Sequence, residues 1–450
     1  MAGKAENPQA LSITPFFEFN PVEESVFAKL SADFASSVES AKKPVQPDYA
    51  TLLAMAQDIC ARHGVRIAAA RQETIAQAAF HSFAGFGCLD FLLSRDDLEE
   101  ISFVGTDRPV YAFSKSKGTW VETNCFLCSD RFSQGLVNKM AQKSGKRLSF
   151  ATPSLDASLE NGARLHATCP PISPGGVCFS IRIFPKNKMS LAGLVESKSL
   201  SAEASAFLWF AMQSDCSILV AGNTGGGKTT LLNALADFVG QNERVVVLED
   251  TAELVFSQRH VARLVAAKTP MRDLIRDTLR MRPDRVFVGE VRAAEDCKAL
   301  FDCLLSGQAR GTYATFHADS GQECLDRLRL MGAQESDLAA MDLVAVVRRI
   351  PVYDTILRTS VEKRRVTEIC EITFQSGRAT ARQVFSFDHV SDSLAFCGFF
   401  ESRLKKKVFQ SLSNIKDEDF KKEWKRRAGF LRLPDNKEEL AAKAHEYLYG

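Results

Sequence analysis

Apolar and polar positions follow different rhythms in successive parts of this chain. Up to about residue 85, as in YATLLAMAQDICARHGVRIAAARQETIAQAAF, apolar side chains recur at three- and four-residue spacing with few turn residues beyond Gly64, which predicts helices. From Phe91 to about Phe184 the pattern turns to short alternating runs, ISFVG, PVYAFS and TWVET, the last two split by a Ser/Lys/Gly turn. These predict strands in a mixed α/β module, with a helix after Ser129. The polar, turn-bearing stretch PKNKMSLAGLVESKSLSAEA is expected to be a linker.

From Ser217 on, the rhythm becomes strand, loop, helix. Continuous apolar runs at 217–220 (SILV), 245–248 (VVVL) and 286–288 (VFV) suit strands covered on both faces of a parallel sheet. Helical spacing lies between them, at Met271, Leu274, Ile275 and Leu279, and at Cys297, Leu300, Phe301 and Leu304. That alternation implies a doubly wound α/β core. A strand pair, RRVTEICEIT and ARQVFSFD, and charged helices follow. The expected division is a helical region at 1–88, an α/β domain at 89–186, a linker at 187–204, a second α/β domain at 205–375 and a basic C-terminal region at 376–450.

Composition narrows the class. The chain has 450 residues, 45% hydrophobic and 25% charged, which is enough for two to four domains with real cores. Its 57 basic and 55 acidic residues leave a net charge of +2, far from the excess expected of a protein that coats nucleic acid, so no nucleic-acid partner is expected. Basic character is local: residues 401–433 hold eleven Lys/Arg against five Asp/Glu, a face suited to anionic headgroups or an acidic protein loop, or simply a solvated helix surface. No run of about 18 apolar residues occurs, and the N-terminus lacks the order of a secretory signal, so a cytoplasmic location is expected. Twelve irregularly spaced cysteines, among them Cys178, Cys216, Cys297, Cys303 and Cys370 in apolar segments, read as reduced thiols without disulfides. Cys125-x-x-Cys128 is half of a zinc pattern whose second half is missing, and Cys60-x-x-His63 reads as a helix pair.

The clearest chemistry lies at Gly222-Asn223-Thr224-Gly225-Gly226-Gly227-Lys228-Thr229, which fits G-x-x-x-x-G-K-[ST] between a predicted strand and a predicted helix. Glycines let backbone N–H groups turn toward phosphate oxygens, the helix N-terminus adds positive potential, Lys228 reaches the β- and γ-phosphates, and the Thr229 hydroxyl suits Mg²⁺. In RPDRVFVGEVR, Glu290 follows a buried strand expected to lie beside that of the phosphate loop, where a carboxylate can polarise water or hold Mg²⁺ through water. VVVLEDTAEL ends another strand with Glu249, Asp250 and Glu253, three carboxylates that are costly unless a cation or arginine faces them. In GQARGTYATFHAD, His317 follows a strand; alone, such a histidine is more often structural.

In this order and at these separations, the phosphate loop, LEDTAEL, RPDRVFVGEVRAAE and TYATFHA resemble the four boxes of the type II/IV secretion ATPase superfamily. Upstream, SGKRLSFATPSLDASLENGARLHAT and CFSIRIF resemble the N-terminal domain of its tight-adherence and archaeal branches, so the resemblance spans roughly residues 90–375. It implies a RecA-like motor domain preceded by a smaller α/β, PAS-like domain. It also implies that Lys228, Thr229 and Thr230 bind ATP and Mg²⁺, that Glu249 and Glu253 form the acidic box with Glu249 near the metal, and that Glu290 is the Walker B glutamate. His317 would sense the γ-phosphate, and Arg164 and Arg182 would reach nucleotide phosphates. Two departures, Ala293 after the Walker B arginine and Ser306-Gly307-Gln308 ahead of the histidine box, bear on the branch. The function implied is a cytoplasmic homo-hexameric ATPase, peripheral to the membrane, that drives pilus-like filament assembly or secretion through a polytopic platform protein and pilin-like subunits. A nucleic-acid translocase with a RecA-like core is the alternative.

Overall fold

A computed structural model describes residues 19–40, 47–106, 108–127, 129–183, 188–266, 269–354, 359–398, 403–411 and 416–432. The chain divides into two compact units, Met1–Lys186 and Asn187–Gly450.

In the first unit, helices Pro21–Ser40, Tyr49–Arg62 and Ala69–Phe83 bury one stripe each, including Val26, Leu30, Leu52, Ile59 and Ile75, in a shared core. Glu23, almost fully buried, is held by both arms of the Arg71 guanidinium at 2.7 and 2.6 Å. The alternating runs downstream form six antiparallel strands: β1 (Leu98–Phe103), β2 (Tyr111–Ser114), β3 (Thr119–Glu122), β4 (Ser154–Ser158), β5 (Arg164–Thr168) and β6 (Cys178–Arg182), in the order β3-β2-β1-β6-β5-β4. The helix predicted after Ser129 spans Asp130–Met140, and the Ser129 side chain caps it by accepting from Phe132 N. One expectation is corrected here: Cys88 and Cys125 form a disulfide, with Cα atoms 6.2 Å apart. Their positions 37 residues apart gave no pairing signal in sequence, because the fold of the strand-rich region brings them together. Cys128 lies outside the described residues.

The second unit is the expected α/β motor fold. Its strands are β7 (Ile218–Gly222), β8 (Val245–Glu249), β9 (Val261–Val265), β10 (Arg285–Val288), β11 (Gly311–Phe316), β12 (Leu343–Asp354), β13 (Thr359–Gln375), β14 (Arg378–Asp388) and β15 (Ser393–Phe396). They form one sheet, β15-β14-β13-β12-β7-β11-β10-β8-β9, parallel from β12 to β9 and antiparallel from β12 to β15. Successive residues of each central strand enter opposite cores, Ile218 and Val220 on one face and Leu219 and Ala221 on the other, so the strands read as unbroken apolar runs. Cys216, Cys297, Cys303 and Cys370 are buried as expected of core thiols, and Cys178 is half-buried.

Three boundaries shift. Much of the 187–204 stretch is part of this core: helices Leu191–Glu196 and Ala202–Gln213 bury Leu191, Leu194 and Ala202, and Leu200 between them is buried too. The serines that suggested a linker are helix caps, Ser190 accepting from Gly193 N and Ser201 from Ala204 N. β14 continues the motor sheet beyond residue 375, turning at Gly377. The basic C-terminal run is also partly internal. In helix Asp417–Leu431, Arg427 is only 4% exposed, its guanidinium stacking 3.8 Å from the Phe210 ring centroid and bonding to Glu423 and Gln213. Among the described residues no helix is long and apolar enough to cross a membrane.

Candidate nucleotide-binding site

The phosphate loop is shaped by what a side chain would hit. At the end of β7, Gly222 has φ +152°, and a Cβ there would lie 1.9 Å from the carbonyl oxygen of Val347 on β12. Gly225 and Gly227 hold φ +71° and +104°, conformations costly to other residues. A Cβ on Gly226 would lie 2.7 Å from both Asn223 Oδ1 and Val347 O. The Asn223 amide turns to β12, accepting from Arg349 N at 3.0 Å and donating to Arg349 O at 3.3 Å, so it shapes the loop from outside. Thr224 is exposed, and Thr229 and Thr230 are half-buried in the first turn of helix Lys228–Leu235.

Lys228 begins that helix and is 8% exposed. Its ammonium donates to Gly222 O and Asn223 O, each at 3.1 Å, and to His317 Nδ1 at 3.3 Å. Phosphate oxygens fit this arrangement: carbonyl and imidazole partners are neutral, and an anion at a helix N-terminus is a stronger acceptor for the same charge. The Thr229 hydroxyl fits a Mg²⁺ held with the nucleotide.

From His317 a polar path crosses the sheet. His317 follows β11, Glu290 lies just beyond β10, Glu249 ends β8 and Asp250 follows it, so these groups share the carboxyl edge of adjacent strands. β11 lies between β7 and β10, which corrects the expectation that the Glu290 strand is the direct neighbour of the phosphate-loop strand. His317 bridges that extra spacing, with Nε2 2.6 Å from Glu290 Oε1. An ammonium only donates, so His317 Nδ1 accepts and Nε2 carries the proton to Glu290. Burial, followed by the charge of Lys228, pushes the His317 pKa below its usual value against the pull of Glu290. The imidazole is therefore neutral. Glu290 Oε2 takes Arg292 Nε at 2.7 Å, and Arg292 Nη1 reaches Asp250 at 3.2 Å.

The acidic box splits into two roles. Glu249, 2% exposed, accepts from Glu253 N and Leu254 N with one oxygen, both at 2.7 Å, and from Arg263 Nη1 with the other at 2.6 Å. Burial raises its pKa, opposed by these three donors. Both oxygens accept from protein groups, so Glu249 anchors the 250–254 turn. Glu253 is half-buried in that turn. The turn is also tied by Asn233, from the phosphate-loop helix, to Val255 N at 2.9 Å. Arginines do face the costly carboxylates, Arg263 at Glu249 and Arg292 at Asp250. Neither had been given a role from sequence. Arg292 had a signal, two residues beyond Glu290, whereas Arg263 on edge strand β9 had none. In the first unit, Arg164 and Arg182 stand directly opposite each other across β5 and β6.

A family model described as type II/IV secretion system protein matches residues 154–426, more than half of the chain. The chain belongs to this family. An uncharacterised protein of Methanocaldococcus jannaschii is 35% identical over 237 residues, 50% of this chain and 33% of that protein, so the chain spans about a third of this relative. A putative conjugal transfer protein of Mycobacterium tuberculosis is 32% identical over 337 residues, 69% of this chain and 91% of that protein. The type IV secretion system protein PtlH of Bordetella pertussis is 31% identical over 300 residues, 57% of this chain and 87% of that protein. Among solved structures, the Legionella pneumophila ATPase DotB matches at 19% identity and TM-score 0.45 over 63% of this chain and 79% of that one.

Proposed function

We propose that this type II/IV secretion family chain is a cytoplasmic, ring-forming ATPase that couples ATP hydrolysis to assembly or secretion of pilus-like filaments through a membrane platform protein. The observation that carries the reading is the continuous path Lys228–His317–Glu290–Arg292–Asp250. A glycine loop with a buried lysine needs only an anion to explain it. A neutral histidine joining that lysine to a carboxylate two strands away adds a group able to respond to the anion and a base able to act beside it.

In this reading Lys228 exchanges its loop carbonyls and His317 for β- and γ-phosphate oxygens. His317, released by Lys228, can then turn its single N–H from Glu290 toward a γ-phosphate oxygen, which frees Glu290 Oε1. Glu290 Oε1 or Oε2 orients the attacking water and accepts its proton. Arg292 keeps that carboxylate aimed. Thr229 would hold Mg²⁺ with Asp250 and Glu253 as acidic surroundings, and the ion would supply charge neutralisation at the phosphates. Arg164 and Arg182 would stabilise charge on the transferred phosphoryl group, and an anion would relieve the repulsion of like charges facing across one rung. Homo-hexameric assembly, attachment to the membrane platform and pilin-like subunits belong to this proposal; family membership and the type IV secretion name of PtlH support its secretion part.

The conjugal-transfer name of the M. tuberculosis relative favours a second reading, a DNA-transfer motor. Glu290→Gln tests both. It should bind ATP yet turn it over about a hundredfold more slowly, as loss of a positioned base costs, and near-normal turnover would remove Glu290 from the chemistry. Recovered with ATP from gently solubilised native membranes, the variant should bring down a polytopic membrane protein and pilin-like subunits. Polynucleotide without them would favour the DNA-transfer motor.

A further inference from the structure

β12 and β13 outrun the sheet. β7 pairs with β12 only from Leu343 to Val347, and β14 pairs with β13 only from Glu368 to Gln375. Beyond these, Arg348–Asp354 and Thr359–Arg365 pair with each other as a two-stranded arm beside the phosphate loop. Its first rungs set Arg348 opposite Arg365 and Arg349 opposite Arg364. Like charges directly opposed destabilise a sheet, so these arginines need compensating partners. Arg365 turns to one face and pairs with Asp392 at 2.9 and 3.0 Å. On the other face Arg349 pairs with Glu362 at 3.2 Å, and Arg364 Nε donates to the carbonyl of Gly225 at 2.9 Å.

Gly225 O and Gly226 N belong to one peptide group. The oxygen is held by Arg364 and the N–H by Asn223 O at 3.1 Å, so this peptide is fixed at both ends, directly after Gly225 with its φ of +71°. The remaining restraint differs in kind. Lys228 bridges Gly222 O and Asn223 O, and it must leave them to meet a phosphate. Asn223, meanwhile, clasps the Arg349 backbone as one additional rung of the arm.

Resting on the nucleotide reading above, we propose that Arg364 is a positioning residue for the phosphate loop: by holding Gly225 O it keeps the loop preformed when Lys228 moves to the nucleotide, and with the Asn223–Arg349 clasp it ties the occupancy of the loop to the arm. Its effect is on affinity. A loop of glycines that must be ordered by its ligand binds more weakly than one already ordered.

The test is equilibrium binding of a fluorescent ATP analogue with Mg²⁺ to the full chain, together with steady-state turnover of ATP. Arg364→Met keeps the alkyl stem, whose Cδ lies 3.8 Å from the position of a Gly227 Cβ, and removes the guanidinium. It should weaken binding and raise KM by about tenfold, the usual worth of a charged hydrogen bond, with kcat at saturation nearly unchanged. Arg364→Lys should recover part of the affinity. The nucleotide-free melting temperature should be the same for all three proteins. Unchanged affinity of Arg364→Met beside a wild type that binds would overturn the positioning role alone. A fall in melting temperature and kcat in step with affinity would overturn it in favour of a general structural role. A wild type that binds no nucleotide would remove the nucleotide reading, and this inference with it.

Discussion

Replacing Gly222 by alanine probes the junction on which the phosphate loop depends. Two costs add. The backbone at φ +152° is one that L side chains rarely adopt, worth about 1–3 kcal/mol. The new methyl would also lie 1.9 Å from Val347 O and 2.9 Å from its carbonyl carbon, and because Val347 pairs with Gly222 in the sheet, relief requires β7 and β12 to part. Overpacking of that kind costs about 1–3 kcal/mol. The sum, about 2–6 kcal/mol, is a large part of typical stability and corresponds to about 4–24 °C in melting temperature for a unit of this size. Differential scanning calorimetry of the full chain reads it. Gly332→Ala is the control: its φ is +96° but nothing lies within 4 Å of a Cβ, so it carries the backbone cost alone and should shift melting about half as much or less. A Gly222→Ala shift no larger than that of Gly332→Ala would refute the close approach of β12.

Glu249→Ala should destabilise the protein by about 2–3 kcal/mol, since two backbone N–H groups and Arg263 lose their acceptor, while Asp250→Ala, at a half-buried residue paired only with the exposed Arg292 side chain among these cations, should change melting less. Loss of turnover with unchanged melting would return Glu249 to the chemistry. The lowered pKa of His317 means that the unfolded chain takes up this proton first as pH falls through about 6.5. The native state therefore loses stability there relative to His317→Gln, and urea unfolding of the two at pH 7.5 and 5.5 should show wild type losing more; parallel losses would contradict a neutral, desolvated imidazole. Arg285, 3% exposed in its side chain, joins Glu243 at 2.6 Å, Asp215 at 2.8 Å and Tyr313 at 2.9 Å. Arg285→Met should cost about 3 kcal/mol by leaving buried Glu243 with Arg310 alone among these cations, and a denaturant midpoint equal to wild type would show that the pair contributes nothing.

The sequence alone determined the local events. Runs such as VVVL and VFV are strands because residues of both parities are apolar, and that pattern survives any arrangement of neighbours. The phosphate loop was equally legible, since glycine spacing, lysine and helix start are contiguous and their geometry is set by backbone sterics. Glu290 and His317 were legible as residues that follow buried strands.

Their partnership was not. Lys228 and His317 are 89 positions apart, and only the order β7-β11-β10-β8 puts His317 between the lysine and Glu290. Tertiary structure likewise decided that Glu249 anchors a turn, because its fate depends on Arg263 arriving from an edge strand whose register no local pattern encodes. It turned the serines of the presumed linker into helix caps and Arg427 of a basic run into a buried cation stacked on Phe210. The reason is common to all of these. Periodicity reports whether a side chain faces a core, whereas the choice among charge partners is made by strand order and register, through contacts between residues far apart in sequence.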